Sequence, residues 1–512
     1  MKSTSGRFIV GLSGLVALWA CNDRKIQTPS PVPTGTSQNF FEQNINNNLD
    51  VLFMIDDSSS MTTVQQNLVA NFPVFINVLK SLPSGLPNVH IGVTTSSMGA
   101  GAFTASVPGC MTPDLGNLIS TVRAATDPVC SSARITDSRH FIESLNNNST
   151  NNFSGDIADV FRCIAQVGAS GCGFEHQLAS VRAALGDSMM GLAPPSGNAG
   201  FIRDDAFLAI IWITNEDDCS APPDSQLFDP NQNTVTDPLG PLASFRCTEF
   251  GITCDGLTAN GGRIPRMAGG PYANCRSNDA LAGADPKHSL VPIQFYIDYF
   301  QRVKSLPRHV IGAAVAAQTE PFAVSIDQMT SFPALNHSCS SSNGTFGDPA
   351  VRMKQVIDSL GNLGTFTSIC QNSYQDAMSV IANLIGRQLG RQCIDGILAD
   401  KSMNYTAPIP TPQNGVVVDP NSVSCTVEDV QYAGTPQQKQ LGVLKPCNPA
   451  GEPAGVQCWA LIGDSMCSIS SAKVVVCRNG FDPRNLATKP CPDGGTIPDG
   501  DTAVIHCATV AR

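Results

Sequence analysis

The chain has 512 residues and a formal net charge of −11, and only 14% of its residues are charged. This length is sufficient for two or three domains with sizeable cores. The acidic balance argues against nucleic acid or an anionic membrane surface as a partner. With 44 glycines and 36 prolines as well, the composition indicates a loop-rich extracytoplasmic protein rather than a cytosolic enzyme.

Residues 1–21 have the pattern of an export signal. Lys2 and Arg7 precede an apolar stretch, residues 8–20, that is too short to cross a membrane. The stretch ends in Leu-Trp-Ala-Cys at Cys21, which resembles the lipobox of bacterial lipoproteins, where the cysteine is lipidated. We therefore expect an exported protein whose only membrane contact is a lipid on Cys21, facing the periplasm or the cell surface. An ordinary secretory leader is the alternative.

Residues 22–48 are rich in proline, serine, threonine, glutamine and asparagine and contain few apolar residues. Segments of this composition form extended spacers rather than packed structure. We expect a tether that holds the folded part of the protein away from the membrane.

Beyond residue 48 the sequence alternates between apolar runs and amphipathic segments. Predicted strands cover residues 51–55, 89–95, 206–213, 310–317 and 364–369. Predicted helices cover residues 61–82, 157–167, 175–185, 293–306, 350–360 and 373–389. This alternation predicts an α/β domain over residues 49–390, with a doubly wound, mostly parallel sheet and helices on both faces. Two cysteine-rich insertions, about 99–153 and 219–285, interrupt the pattern.

Residues 391–512 differ in character, with many prolines and glycines and short β-like runs such as 473–477 and 502–507. They predict a small β-type module stapled by disulfides. With Cys21 set aside, ten cysteines fall in residues 49–390 and eight in residues 391–512. Even numbers in an exported chain predict disulfides closed within each region. Cys219 is expected to anchor the second insertion, with Cys247 and Cys254 as open choices of partner.

The end of the first strand carries the most specific chemical pattern. The apolar residues 52–55 are followed directly by Asp56, Ser58 and Ser60. In open α/β sheets ligands bind just beyond the carboxyl ends of the strands. One carboxylate and two hydroxyls are hard oxygen ligands of the kind that suit Mg²⁺. The pattern therefore predicts a divalent-cation site, with Mg²⁺, Ca²⁺ or Mn²⁺ as the cofactor.

Residues 49–390 as a whole resemble a von Willebrand factor type A domain, and in particular the cysteine-rich lipoproteins of bacteria that contain one. The segments that carry the resemblance are residues 56–61, 89–93, 171–175, 214–220 and 245–251. The resemblance implies a metal-ion-dependent adhesion site, in which an open coordination position of the cation is completed by a carboxylate of a protein ligand.

The family builds that site from an aspartate and two serines of the first loop, a threonine before a middle helix, and an aspartate after the fourth strand. Asp56, Ser58 and Ser60 match the first loop. The threonine loop falls on residues 171–175, which contain no threonine but include Cys172 and Glu175. The last aspartate falls on Asn215. Glu216, Asp217 and Asp218 follow it and could substitute only if the loop bends back, with Asp217 as the expected ligand. A degenerate site whose hydroxyls cap the following helix is the alternative.

No nucleophile elbow, zinc-protease helix, phosphate loop or dinucleotide fingerprint occurs in the sequence. We therefore expect no enzymatic activity. The expected function is that of a lipid-anchored cell-envelope binding or adhesion protein, which uses a partly degenerate metal site to bind a protein ligand. The alternative is a metal-independent structural or assembly component of an envelope complex.

Overall fold

The computed structural model describes residues 35–42, 47–82, 85–389, 393–394, 396–431, 438–464, 467, 470–486, 490–492, 494 and 501–510. The predicted export signal, including Cys21, lies outside the described residues. Among the helices in these ranges, none is both long enough and apolar enough to span a membrane.

A seven-stranded sheet forms the centre of the α/β part of the molecule. Its strands are β1 (Asn48–Ile55), β2 (Asn88–Thr95), β3 (Ile142–Leu145), β4 (Thr150–Asn151), β5 (Phe207–Ile213), β6 (Val310–Ala316) and β7 (Gly364–Ser368). They lie in the order β7-β6-β5-β1-β2-β3-β4. In this order the first five strands, from β7 to β2, run parallel to one another. At the edge next to β2, β3 pairs antiparallel with β2 and β4 pairs antiparallel with β3. The prediction of a mostly parallel sheet is therefore confirmed.

Helices cover both faces of the sheet because alternate side chains of each strand point to opposite sides. The helices are α1 (Thr62–Lys80), α2 (Ile157–Ala165), α3 (Gln177–Leu185), α4 (Phe245–Gly251), α5 (Asp279–Ala284), α6 (Ile293–Arg302), α7 (Val351–Ser359) and α8 (Gln375–Leu389). Helices α1, α2 and α8 pack against one face, where Phe53 of β1 contacts the rings of Phe72 and Phe161. Helices α3, α6 and α7 pack against the other face, which includes Leu52 and Trp212.

The first insertion extends the main sheet, which its sequence did not predict. Strands β3 and β4 both come from residues 99–153, and β3 pairs with β2 from Val89 to Ile91. The Cys110–Cys172 and Cys130–Cys163 disulfides attach this insertion to the loop before α3 and to α2. It is therefore an integral edge of the sheet rather than a separate loop.

The second insertion, residues 219–285, contains α4 and α5 and is organised around the buried side chain of Arg246. Its guanidinium donates hydrogen bonds to the backbone carbonyls of Leu227, Asp229, Gln232, Gly240 and Pro241. The Cys219–Cys247 and Cys254–Cys275 disulfides close the insertion, so Cys247 is the partner of Cys219. A strand at Gly269–Tyr272 pairs with the hairpin Phe322–Ile326 and Pro333–Leu335.

The disulfides follow the regional cysteine counts. The fifth bridge of residues 49–390 is Cys339–Cys370. Four more join cysteines within residues 391–512: Cys393–Cys467, Cys425–Cys507, Cys447–Cys458 and Cys477–Cys491. The predicted closure of each region on itself is confirmed, and nine disulfides indicate an oxidising, extracytoplasmic compartment.

The C-terminal region is β-rich. Its strands are β8 (Cys425–Gln431), β9 (Lys439–Leu444), β10 (Cys458–Gly463), β11 (Ala472–Cys477) and β12 (Asp501–Thr509). β10 pairs with β11, whereas β12, β8 and β9 lie side by side in a second, antiparallel sheet.

An N-terminal strand, Gly35–Glu42, is the fourth member of this second sheet. It pairs antiparallel with β12 along its whole length, from Gly35 opposite Thr509 to Glu42 opposite Thr502. The expectation of a tether over residues 22–48 is therefore wrong for residues 35–42. Backbone pairing with a strand more than 450 residues away in the chain, rather than local composition, determines their conformation.

Candidate functional site

The loops that follow β1 and β5 meet at the carboxyl edge of the main sheet, where ligands bind in open α/β folds. The backbone amide of Asp56 donates to the carbonyl of Ile213 at 3.0 Å, which holds the end of β1 against the end of β5. The residues expected to bind a cation after each strand are therefore neighbours.

Four of the five expected metal ligands come together here. Asp56 is fully buried, and its Oδ1 accepts a hydrogen bond from the Ser58 amide at 2.7 Å, while its Oδ2 accepts one from Thr214 Oγ1 at 2.9 Å. Ser58 Oγ lies 3.2 Å from Ser60 Oγ, which donates to Asn215 Oδ1 at 3.0 Å. Two hydroxyls and an amide oxygen from two separate loops thus converge beside a buried carboxylate.

Two buried glutamines support this arrangement from the helices. Gln65 of α1 donates from Nε2 to the carbonyls of Asp56 at 3.1 Å and Gly168 at 2.7 Å. Gln177 of α3 donates from Nε2 to Thr214 Oγ1 at 3.0 Å, which orients the hydroxyl that contacts Asp56. The amide groups fix the loops without adding charge.

The Asp57 side chain contacts a third loop, the one that follows β2. Its carboxylate accepts a hydrogen bond from Ser96 Oγ at 3.2 Å, and its backbone carbonyl accepts one from the Gly171 amide at 2.8 Å. A Cβ atom on Gly171 would overlap the Asp57 carboxyl group, so the loop requires glycine at this point. Burial, together with the charges of Asp56 and Asp114, raises the pKa of Asp57 to about 7.

Asp217 caps a helix. Its Oδ2 accepts a hydrogen bond from the Arg352 amide at 2.9 Å and its Oδ1 accepts one from the Met353 amide at 3.1 Å. These amides belong to the first turn of α7, where an acidic side chain satisfies free N–H groups and the helix dipole. Asp217 therefore caps α7 with both carboxylate oxygens and lies outside the hydrogen-bonded cluster of Ser58, Ser60 and Asn215, and its role as a metal ligand stays a prediction.

The loop at residues 171–175, where a threonine was expected, contributes Glu175 instead. Cys172 is bonded to Cys110 and is not available as a ligand. Glu175 is only 2% exposed, and its carboxyl group lies near that of Glu216, so that each affects the pKa of the other. Within the described parts of the chain, no ion pair reaches either glutamate. The sequence placed Glu175 in the threonine loop and Glu216 in the acidic run at 216–218, but neither was among the expected ligands.

The two glutamates hold protons far more tightly than ordinary glutamates do. Burial, followed by the charges of Asp348 and Asp56, raises the pKa of Glu216 from its ordinary value of 4.5 to about 8. Burial, followed by the charges of Glu216 and Asp56, raises the pKa of Glu175 well above its usual range. The edge of the sheet therefore holds carboxyl groups in excess of the basic groups that could neutralise them.

This excess predicts an unusual pH dependence of stability when divalent cations are removed. A carboxyl group with a raised pKa binds its proton more tightly in the folded state, so folding is favoured at low pH. We expect the melting temperature in EDTA to fall as the pH rises from about 4.5 to about 8, the ordinary and folded values for Glu216. In Glu216→Gln the fall should be smaller, as measured by differential scanning calorimetry. An equally steep fall in the variant would contradict this assignment.

The donor set fits a hard divalent cation. Asp56, Ser58, Ser60 and Asn215 offer oxygen ligands, and Glu175 and Glu216 place two further carboxyl groups nearby that a bound cation would help to ionise. No three Asp, Glu, His or Cys side chains of the described residues are placed to hold a metal ion together. A cation at this edge would therefore depend on the hydroxyl and amide oxygens and on water, as Mg²⁺ commonly does.

Comparisons with known proteins give no assignment. No protein-family description and no curated protein match the chain. The solved structures that match include the conserved hypothetical protein BatB from Bacteroides thetaiotaomicron, at 10% identity and a TM-score of 0.23 over 66% of this chain and 98% of that one. They also include the pilus adhesin RrgA from Streptococcus pneumoniae, at 9% identity and a TM-score of 0.24 over 93% of this chain and 58% of that one. TM-scores this low support no conclusion about the fold or the function of this chain.

Proposed function

We propose that this chain is an extracytoplasmic binding protein whose α/β region, residues 49–390, is a von Willebrand factor type A-like domain that binds a protein ligand through a divalent cation. The main support for this proposal is that the side-chain oxygens of Ser58, Ser60 and Asn215 come together beside the buried carboxylate of Asp56. These four residues would hold the cation. When bound, it supplies an open coordination position for a carboxylate of the ligand.

The chain's own residues contribute position and electrostatics. Gln65 and Gln177 hold the Asp56 and Thr214 groups in place. The raised pKa values of the nearby Glu175 and Glu216 carboxyl groups couple the site to protons, because a bound cation would favour their ionised forms. This arrangement serves binding rather than covalent chemistry, and we propose no enzymatic activity. Lipidation at Cys21 would place the protein on a membrane of the cell envelope.

A metal-independent assembly role is the second candidate, and one observation favours it. Ser60 Oγ already donates to Asn215 Oδ1 at 3.0 Å, and Asn215 brings no charge to a position where the family pattern has an aspartate. In this alternative the same hydrogen bonds tighten the loop after β1, and a neighbouring envelope protein packs against the edge directly.

Thermal unfolding with and without divalent cations tests the proposal. We expect millimolar Mg²⁺, Ca²⁺ or Mn²⁺ to raise the melting temperature of the oxidised protein above its value in EDTA, because a ligand at 100 times its Kd stabilises the folded state by about 2.7 kcal/mol. Asp56→Ala should abolish the shift.

The matched control is Asp358→Ala, which removes an exposed acid on α7 that pairs with Lys354 and should leave the shift intact. If none of the three ions raises the melting temperature, or if Asp56→Ala keeps the full shift, the cation proposal is wrong. Ligand capture that is insensitive to chelator would then support the assembly role.

A further inference from the structure

Gln177 has a buried acceptor atom that the hydrogen bonds of the candidate site leave unused. The side chain belongs to the first turn of α3 and is fully buried. Its Nε2 donates to Thr214 Oγ1 at 3.0 Å and to the Glu216 carbonyl at 3.4 Å. In the part of the chain that the structure describes, its Oε1 has no hydrogen-bond partner. Leaving a buried acceptor without a donor is unfavourable, so this oxygen requires a donor from outside the protein, such as a water or a hydrated ion.

The neighbours of the Gln177 amide determine which of its two polar atoms is left over. The Glu216 carbonyl can only accept a hydrogen bond, so it requires the amide nitrogen on its side. Thr214 Oγ1 has a single proton, which Asp56 Oδ2 at 2.9 Å and the Glu216 carbonyl at 3.0 Å can accept. Toward Gln177 the hydroxyl is therefore an acceptor as well. Exchanging nitrogen and oxygen would place acceptors against each other in both contacts, so the atom without a partner is the oxygen.

The other buried glutamine of the site shows a contrast. Gln65 of α1 donates from Nε2 to the carbonyls of Asp56 and Gly168, and its Oε1 accepts a hydrogen bond from the Gly168 amide at 3.3 Å. Both ends of this amide have partners within the protein. The unused acceptor is thus particular to Gln177, on the side of the site that α3 forms.

Gln177 also lies close to where the family pattern has its threonine. That threonine precedes a middle helix, and residues 171–175 provide none, whereas α3 begins at Gln177. The oxygen and nitrogen of an amide are about 2.3 Å apart, so Oε1 lies within about 5 Å of Thr214 Oγ1, the hydroxyl that contacts Asp56. One water in the shell of a cation spans a gap of this size, because its two contacts are each about 2–3 Å long.

We propose that Gln177 Oε1 holds the cation of the candidate site through one water of its coordination shell, in place of the threonine of the family pattern. The inference rests on the proposed function and adds a positioning residue to the four residues that would hold the cation. It also favours one cation over another. Mg²⁺ keeps several waters when it binds to a protein, whereas Ca²⁺ takes more of its ligands from the protein.

Calorimetric titration of the full, oxidised chain with Mg²⁺ and with Ca²⁺ tests the proposal. Gln177→Met removes the oxygen and keeps the length of the side chain. It should weaken Mg²⁺ binding about tenfold, since losing a residue that supports a metal through its shell costs about 10–100-fold in affinity. Ca²⁺ binding should weaken by a smaller factor. Gln177→Glu keeps an oxygen at this position and should bind Mg²⁺ at least as tightly as the wild type.

A double-mutant cycle separates the oxygen of Gln177 from its nitrogen. Thr214→Val removes the hydroxyl that Nε2 contacts. If Oε1 acts on the cation, Gln177→Met should weaken Mg²⁺ binding by a similar factor with and without Thr214→Val. An effect that disappears in the Thr214→Val background would mean that Gln177 acts only by orienting Thr214, and would overturn the proposal. Gln294→Met, at an exposed position of α6, is the matched control and should not change the affinity.

The cation proposal and this inference fail in different ways. If the wild type binds no Mg²⁺, both are wrong. If the wild type binds Mg²⁺ and Gln177→Met binds it equally well, or loses Mg²⁺ and Ca²⁺ affinity by the same factor, the site holds a cation without this water contact and only the inference is wrong. Should Gln177→Met not fold, Gln177→Glu decides, because weaker Mg²⁺ binding than in the wild type would overturn the inference.

Discussion

Replacing Asn215 with aspartate is expected to increase the affinity for Mg²⁺ by about tenfold, equivalent to about 1.4 kcal/mol. Asn215 Oδ1 already lies 3.0 Å from Ser60 Oγ and is placed among the oxygens that would surround a cation. An added charge at this distance attracts Mg²⁺ strongly even when solvent screens the interaction. The affinity is measured by calorimetric titration of wild type and variant under identical conditions.

The same substitution should have the opposite effect without metal. In EDTA the new carboxyl group stands beside the buried carboxyl groups of Asp56, Glu175 and Glu216, where its ionised form is disfavoured, so the melting temperature of the variant at neutral pH should lie below that of wild type. The exposed substitution Asn383→Asp on α8 is the control and should change neither quantity. An Asn215→Asp variant with unchanged Mg²⁺ affinity would show that the loop after β5 is not part of a cation site.

Replacing Arg352 with methionine is expected to destabilise the fold by about 3–5 kcal/mol. The Arg352 side chain is 1% exposed and contacts Asp218 at 3.1 Å, Ser277 Oγ at 2.5 Å and the Val291 carbonyl at 2.7 Å. Methionine preserves much of the volume but leaves Asp218 as a buried carboxylate without its ionic partner. The free energy of unfolding is measured by denaturant titration with the disulfides intact.

A neighbouring ion pair provides the control for this measurement. Lys354 and Asp358 form an exposed pair on α7, so Lys354→Met should cost less than about 1 kcal/mol. Similar losses in Arg352→Met and Lys354→Met would mean that the interactions of Arg352 contribute little, and that the second insertion is held to α7 by other contacts.

The four central strands of the main sheet, β1, β2, β5 and β6, could be predicted because both of their faces are buried. The apolar run predicted at 206–213 becomes β5, Phe207–Ile213, every residue of which is buried. Such runs are distinctive because a polar residue on either face would lose its water. Helix ends were displaced by up to four residues, as in α6, which was expected over 293–306 and ends at Arg302.

Other parts of the fold depend on contacts that no local pattern reveals. Strands β3 and β4 have four and two residues, too few to show a periodicity. β3 pairs with the open edge of β2, and β4 pairs with β3. The partner of Cys219 was likewise undetermined, since Cys247 and Cys254 follow it at similar separations and only the path of the insertion selects Cys247.

Part of the candidate site could be predicted because it directly follows a buried strand. Asp56, Ser58 and Ser60 follow a strand directly, so their neighbourhood is determined by the sheet. The acids that follow Asn215 lie on a turning loop, where successive side chains point in different directions. The turn directs Asp217 to the first amides of α7 and Glu216 to Glu175, which the order of the residues did not indicate.

The pairing of the N-terminal strand with β12 has a practical consequence for recombinant work. A fragment that begins at residue 49, the start of the α/β pattern, would lack Gly35–Glu42 and expose one whole edge of β12. Uncovered strand edges recruit other chains and promote aggregation. An expression fragment should therefore start before Gly35, and an affinity tag there would sit next to the last residues of β12, because Gly35 lies opposite Thr509.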